Sequence, residues 1–302
     1  MEVIITGGSG FVGRNLLAYF GEKYTIQSIS IRTTEWKETL NVNADAIIHL
    51  AGKAHDVSNT SNPEEYFTVN RDLTISLFDE FLKSNIKDFV YFSSVKSVRD
   101  TVDGTLTEDV VPDPKTAYGK SKLEAEQYLQ SKLLPVGKRL FIIRPCMIHG
   151  PGNKGNLNLL FNVVKMGLPW PLAAFENQRS FLNVSNLCFL IDRMLLSNSV
   201  RSGVYNFSDD IPLSTNELIS LISNCLGKPV RLVRVNKSVL FFLAKIGDYI
   251  SLPLNSDRLK KLSESYVVSN QKIKTELQIH RLPIDAVEGL KKTIMSFDKS
   301  KK

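Results

Sequence analysis

An α/β protein with a doubly wound parallel sheet and a smaller, mixed C-terminal lobe is the fold class this sequence predicts. Three observations predict it. Short apolar runs alternate with amphipathic stretches through the first half, a glycine-rich turn follows the first run, and after Gly150 the texture becomes Gly/Pro/Asn-rich with shorter helices. Such alternation means βαβ units joined by right-handed crossovers. Composition agrees: 302 residues, 43% hydrophobic and 23% charged, suffice for a large core and exclude disordered, collagen-like and coiled-coil chains.

The first expected strand is Glu2–Ile5. The turn Thr6-Gly7-Gly8-Ser9-Gly10-Phe11-Val12-Gly13 then opens a helix over Gly13–Phe20. Gly7, Gly10 and Gly13 have separate tasks: a tight turn, close approach of backbone to a pyrophosphate, and close packing of helix on strand. The helix N-terminus, with Phe11 and Val12, presents unpaired N–H groups to the anion. Strand, turn and helix stand in the required order, so the motif indicates a Rossmann-type dinucleotide site.

The second strand, Ile26–Ile31, bears on which dinucleotide. An acid about 20 residues beyond the glycines would bind a ribose 2′-hydroxyl, but the strand end Ser28-Ile29-Ser30-Ile31-Arg32 has none, the next being Glu35. Ser30 and Arg32 stand there instead and suit a 2′-phosphate. NADP(H) is therefore favoured, with NAD(H) as the alternative. Further strands are expected at Ala46–Leu50, Phe89–Phe92 and Leu140–Ile143, and helices at Glu64–Ser84 and Ala117–Ser131. Val204–Phe207, between Gly203 and Ser208-Asp209-Asp210, reads as a late strand returning to the sheet. Residues 1–150, with 204–207, are assigned to the dinucleotide-binding domain. The rest of 151–302 is assigned to a substrate-binding lobe over the carboxyl ends of the strands, where open α/β sheets hold ligands.

Two further features carry chemistry. Tyr118 and Lys122 lie at i and i+4, on one face of a helix. An ordinary tyrosine has a pKa of about 10, and a neighbouring ammonium, helped by the positive charge of an oxidised nicotinamide, is expected to lower it towards use as a base. Lys120 is only two positions from Tyr118 and faces elsewhere. The strand Phe89–Phe92 ends in Ser93 and Ser94, where a hydroxyl would emerge at the crevice.

Glycine turn, strand-end serine and Tyr-x-x-x-Lys in this order resemble the extended short-chain dehydrogenase/reductase superfamily, which includes nucleotide-sugar epimerases, dehydratases and reductases. The resemblance covers nearly the whole chain. It implies Ser94, Tyr118 and Lys122 as the catalytic residues, with Leu50, Ala51, Gly52, Asn70 and Pro145 joining the glycine turn around the cofactor. It also implies that Arg179, in Arg179-Ser180-Phe181-Leu182-Asn183-Val184, and Asn156 contact a nucleotide-sugar diphosphate beside Ser94 and Tyr118. Val95-Lys96 replaces the Asp-Glu pair of the family's dehydratases, which argues against water elimination. The closest texture is that of enzymes acting at carbon 4 of UDP-hexoses and UDP-N-acetylhexosamines. Reduction of a 4-keto sugar is favoured, a 4-epimerase with tightly bound NAD is the alternative, and a non-catalytic NADP-binding regulator ranks last because the triad is intact.

The remaining features mainly exclude. Cys146, Cys188 and Cys225 are odd in number with no C-x-x-C pair, against both a disulfide framework and a metal site. Val3-Ile4-Ile5 leaves no room for a signal peptide, so a cytoplasmic location is expected. The apolar run Val239–Ala244 is cut short by Lys245, Asp248 and Pro253, too short for membrane insertion. It reads as a core helix of the second lobe, with association at a membrane surface as the alternative. The net charge of +7 is taken as spread along the chain, apart from the tail Lys299-Ser300-Lys301-Lys302. That suits anionic small molecules, and no nucleic-acid signature accompanies it. A homodimer is compatible with all of this.

Overall fold

The computed structural model describes residues 1–33, 35–53, 62–153, 156–250 and 255–299. The strands among them are β1 (Glu2–Thr6), β2 (Thr25–Ile29), β3 (Ala46–His49), β4 (Asp88–Phe92), β5 (Thr105–Leu106), β6 (Arg139–Pro145), β7 (Met147–His149), β8 (Phe181–Asn183), β9 (Gly203–Phe207) and β10 (Val267–Val268). Six form one wholly parallel sheet in the order β2-β1-β3-β4-β6-β9. The central strands β3 and β4 are buried along their whole length, as a parallel sheet covered on both faces requires.

Each face has its own core. On one, Leu16 and Phe20 of the helix Phe11–Phe20 meet Leu187 and Ile191 of the helix Val184–Leu196. On the other, Leu77, Phe78 and Phe81 pack with Ala125 and Leu129 of the helix Ala117–Ser131. A third cluster, with Phe161, Trp170, Ile222, Leu240 and Leu290, lies in the C-terminal lobe. Two small parallel pairs bind that lobe to the sheet's carboxyl edge: β7 with β8, and β5 with β10.

The expected strands and helices are present, Val204–Phe207 included, with two instructive differences. The second strand stops at Ile29, so Ser30 lies beyond its end rather than within it, and Arg32 three residues past it. The expected helix Glu64–Ser84 is one helical run over 63–83, interrupted by a π turn at Phe67–Asp72. Such a turn accommodates one extra residue and commonly marks a functional site; here it holds the buried Asn70. Among the described residues no helix is long and apolar enough to cross a membrane.

Candidate active site

The crevice opens where β1, β3, β4 and β6 end. At β1 the chain turns through Gly7, whose φ of +74° is open to glycine and disfavours a side chain. A Cβ there would come within 2.7 Å of the Ala51 nitrogen, and one at Gly13 within 2.3 Å of the Gly7 carbonyl. The turn is therefore packed against the end of β3 and against itself. Gly10 caps the helix Phe11–Phe20 without any side-chain hydrogen bond, so the first N–H groups of Phe11 and Val12 remain available to an anion.

Beneath the turn sits a buried polar column. Thr6 Oγ1 lies 2.7 Å from His49 Nδ1, and His49 Nε2 lies 2.9 Å from Thr74 Oγ1. Burial pushes His49 down to about 3, with the Lys122 charge acting in the same direction, so it is a neutral ring tying β1 and β3 to the helix. Next to it the Lys53 amide donates to Asn70 Oδ1 at 2.8 Å, and Asn70 Nδ2 donates to the Lys53 carbonyl and to Ser121 Oγ, each at 3.2 Å. Asn70 thus fixes the Leu50-Ala51-Gly52-Lys53 turn and links it to the helix carrying Tyr118.

Ser94, Tyr118 and Lys122 are brought together as expected. The Tyr118 and Ser94 hydroxyls are hydrogen-bonded. Ser94 Oγ also accepts from the Lys96 amide at 3.2 Å, at the head of a one-turn 3₁₀ helix. Lys122 is buried, donates to the Phe92 carbonyl at 2.8 Å and lies 5.0 Å over the Tyr91 ring. Burial pushes its pKa down to about 8, opposed by Glu126. One expectation is corrected: burial raises Tyr118 above the usual tyrosine range, and the opposing influence is the hydrogen bond from Ser94 rather than the Lys122 charge. The physical reason is that the ammonium is engaged with the Phe92 carbonyl and its own charge is disfavoured. Lys120 is exposed, as its position predicts.

Sequence reasoning missed the group that holds this loop. Ser93 Oγ donates to Glu126, as does Ser97 Oγ at 2.6 Å, and Arg144 Nε donates to both Glu126 oxygens at 3.1 Å. All four residues are buried. Removing one member would leave a charge or hydroxyl unpaired in the interior. Glu126 is four residues past Lys122 and Arg144 precedes Pro145, but nothing in their spacing announces the pairing.

The C-terminal lobe supplies the opposite wall. The Arg179 backbone pairs with Leu213 through two 2.9 Å hydrogen bonds, and its guanidinium donates to the Lys261 carbonyl. Burial lowers its pKa. Tyr266 donates to the Val95 and Arg99 carbonyls at 3.1 and 2.7 Å, pinning the loop after Ser94 to this lobe. Lys96 lies 4.3 Å over the Tyr266 ring and donates to the Asp100 carbonyl at 2.8 Å. Burial pushes it down to about 8, and the Arg179 charge adds to that. Two cations, Lys96 and Arg179, therefore lie close enough for their charges to interact; the sequence marked only the second. Asn156 is described only as the first residue of the helix Asn156–Lys165, and Lys154-Gly155 lie outside the described residues. Ser30 and Arg32 are exposed at the far end of the glycine turn.

Residues 3–207 match the family described as the NAD dependent epimerase/dehydratase family. The chain belongs to this family. It is an NAD(P)-dependent enzyme of the extended short-chain dehydrogenase type. Among its relatives, UDP-glucose 4-epimerase of Vibrio cholerae is 30% identical over 256 residues, 76% of each chain. An N-acetyl-alpha-D-glucosaminyl-diphospho-ditrans,octacis-undecaprenol 4-epimerase of Escherichia coli O157:H7 is 27% identical over 90% of this chain and 84% of its own. The Bordetella bronchiseptica enzyme WbmG, solved with NAD, shares the fold, with a TM-score of 0.76 at 19% identity over 99% of this chain and 94% of that one.

Proposed function

We propose that the protein interconverts the carbon-4 epimers of a nucleotide sugar, a UDP-hexose or UDP-N-acetylhexosamine. The observation that carries this reading is the assembled Ser94–Tyr118–Lys122 group at the carboxyl edge of the sheet, with the interacting cations Lys96 and Arg179 on the loop after Ser94 and in the C-terminal lobe. The residues fit a dinucleotide: a Cβ at Gly7 or Gly13 would meet backbone, and the helix N-terminus is uncapped by any side chain. Gly7, Gly10, Phe11, Val12 and Gly13 would hold its pyrophosphate, Leu50, Ala51, Gly52 and Pro145 would line its course, and Lys122 would meet the nicotinamide ribose. When bound, the nicotinamide supplies the hydride acceptor and donor for carbon 4.

The chain's own groups do the rest. Tyr118 takes the proton from the sugar 4-hydroxyl as carbon 4 is oxidised and returns it afterwards, the positioned acid–base role worth about 10²–10⁴ in rate. Ser94 holds the same oxygen and, by its hydrogen bond, stabilises the phenolate form of Tyr118 against burial. Asn70 fixes the turn beside them. Arg179 and Lys96 take the diphosphate, a planar bidentate partner and a point charge respectively. A diphosphate is common to a UDP-sugar and to the undecaprenol-linked sugar named for the Escherichia coli relative, so both carriers belong in the test.

A second reading, reduction of a 4-keto sugar with NADPH, has one observation in its favour: β2 ends without an acid, and Ser30 and Arg32 stand exposed beyond it. Epimerisation is placed first because both relatives named above are 4-epimerases. The purified protein should be given UDP-glucose, UDP-N-acetylglucosamine and the undecaprenol-linked sugar with catalytic NAD⁺, and products followed by NMR. Appearance of the 4-epimer without net NADH supports epimerisation. Turnover only of a 4-keto sugar with stoichiometric NADPH supports reduction. No change at carbon 4 under either condition overturns both.

A further inference from the structure

Among the described residues, nothing covers one face of the helix Lys237–Ile250. Leu240, Ala244 and Gly247, spaced i, i+4, i+7, are buried, two of them in the lobe's core. A surface helix normally turns polar residues outward. This one does not: Val239, Phe242, Leu243 and Tyr249 are 48%, 64%, 43% and 89% exposed. With the half-buried Ile246 they follow i, i+3, i+4, i+7, i+10, a second apolar stripe pointing to solvent.

The charge around it is equally uneven. Residues 228–261 hold eight basic residues (Lys228, Arg231, Arg234, Lys237, Lys245, Arg258, Lys260 and Lys261) against two acidic ones, Asp248 and Asp257. Residues 127–175 carry the same excess, six basic residues and no acidic one, so the charge is spread along the chain as expected; on residues 228–261 it flanks exposed apolar side chains. Lys237, Lys245, Arg258 and Lys260 are all exposed, while the Asp248 carboxylate is engaged by Ser256. An apolar stripe flanked by lysine and arginine complements an anionic lipid surface, apolar side chains entering the headgroup boundary and cations meeting phosphate.

We propose that this face docks the protein on an anionic bilayer surface. The proposal is independent of the reaction assigned above. Its placement has a consequence for the crevice, because the helix packs against Ser256–Ser263, whose Lys261 carbonyl holds the Arg179 guanidinium. Docking there sets the diphosphate wall of the crevice close to the lipid surface.

The test is co-sedimentation of the full chain with vesicles of phosphatidylcholine alone and of phosphatidylcholine mixed with phosphatidylglycerol. Binding is expected to the mixed vesicles, weakening as salt is raised because surface charges are screened. The paired variant Phe242→Ser, Tyr249→Ser should weaken it by about tenfold or more, through lost apolar burial. Lys245→Glu with Arg258→Glu should weaken it comparably, while turnover of a soluble substrate is kept in both. All four side chains are exposed, so thermal melts should match the parent. No binding to mixed vesicles overturns the proposal, as does binding that the variants leave unchanged. A parent dimer that the Phe242→Ser, Tyr249→Ser pair converts to monomer also overturns it, since a second copy would then cover the stripe.

Discussion

The two walls of the crevice are made differently. On the side proposed to take the cofactor the surface is backbone: Gly7, Gly10 and Gly13 bring main chain close to main chain, with His49 bonded to Thr6 and Asn70 to the Lys53 amide beside it. On the side proposed to take substrate it draws on long side chains, Arg179, Lys96 and Tyr266, from distant parts of the chain. A backbone wall cannot be altered without disturbing the fold. A side-chain wall can change its ligand while the fold stays.

That contrast can be broken experimentally, beginning with the residue between the walls. Tyr118→Phe keeps the ring that packs edge-on to Tyr66 at 6.0 Å and removes only the hydroxyl. Turnover should fall by about 100-fold or more while melting temperature and cofactor titration stay near the parent's; near-normal kcat would exclude Tyr118 as the acid–base group. Gly13→Ala should couple what a backbone wall couples. Its methyl would sit 2.3 Å from the Gly7 carbonyl, so stability should drop by about 3 kcal/mol or more and cofactor affinity with it. A denaturant melt that shows one loss without the other would contradict that coupling.

Arg179→Ala should do the opposite. Loss of a charge-assisted contact worth about 1.5–3 kcal/mol raises the KM for the diphosphate-bearing substrate roughly 10- to 100-fold, with the cofactor constant unchanged. Equal shifts in both constants would mean that the two walls are not separate. Arg32→Ala is expected to weaken NADPH by about tenfold and to spare NADH, compared by fluorescence titration.

The last effect is a slope. Lys122 titrates near 8 in the folded chain and at its ordinary 10.5 when unfolded, so between these values the unfolded state carries the extra proton. Stability should therefore gain up to about 1.4 kcal/mol per pH unit across that window, on top of other groups. Below pH 8 both states hold the proton and the contribution is flat. Denaturant melts of the parent and of Lys122→Met should differ by this slope, and parallel profiles would show that the ammonium is not buried in solution.

Legibility in the sequence followed the same division. The strands, the glycine turn and the Tyr118–Lys122 pair could be read because each depends on local spacing: a short apolar run, a tight turn, one helical turn. The pairing of Glu126 with Arg144, the Tyr266 clamp and the meeting of Lys96 with Arg179 could not, since each joins residues whose separation along the chain carries no repeat. The outward stripe of Lys237–Ile250 was visible as an apolar run, yet burial, not pattern, separates a core helix from a surface one.

The π turn at Phe67–Asp72 bears on how such enzymes can be recombined. The run 63–83 carries one residue more than an uninterrupted α-helix of the same span, and the surplus is taken up around Asn70. Tyr66 before it and Leu77 after it therefore sit in two different angular frames, one set by Tyr118 and the other by the sheet's core. A chimera joined within this turn inherits both frames only if the surplus residue travels with its asparagine. Spliced without it, the downstream half would be rotated by about 100°, and the apolar face now on the sheet would turn towards water.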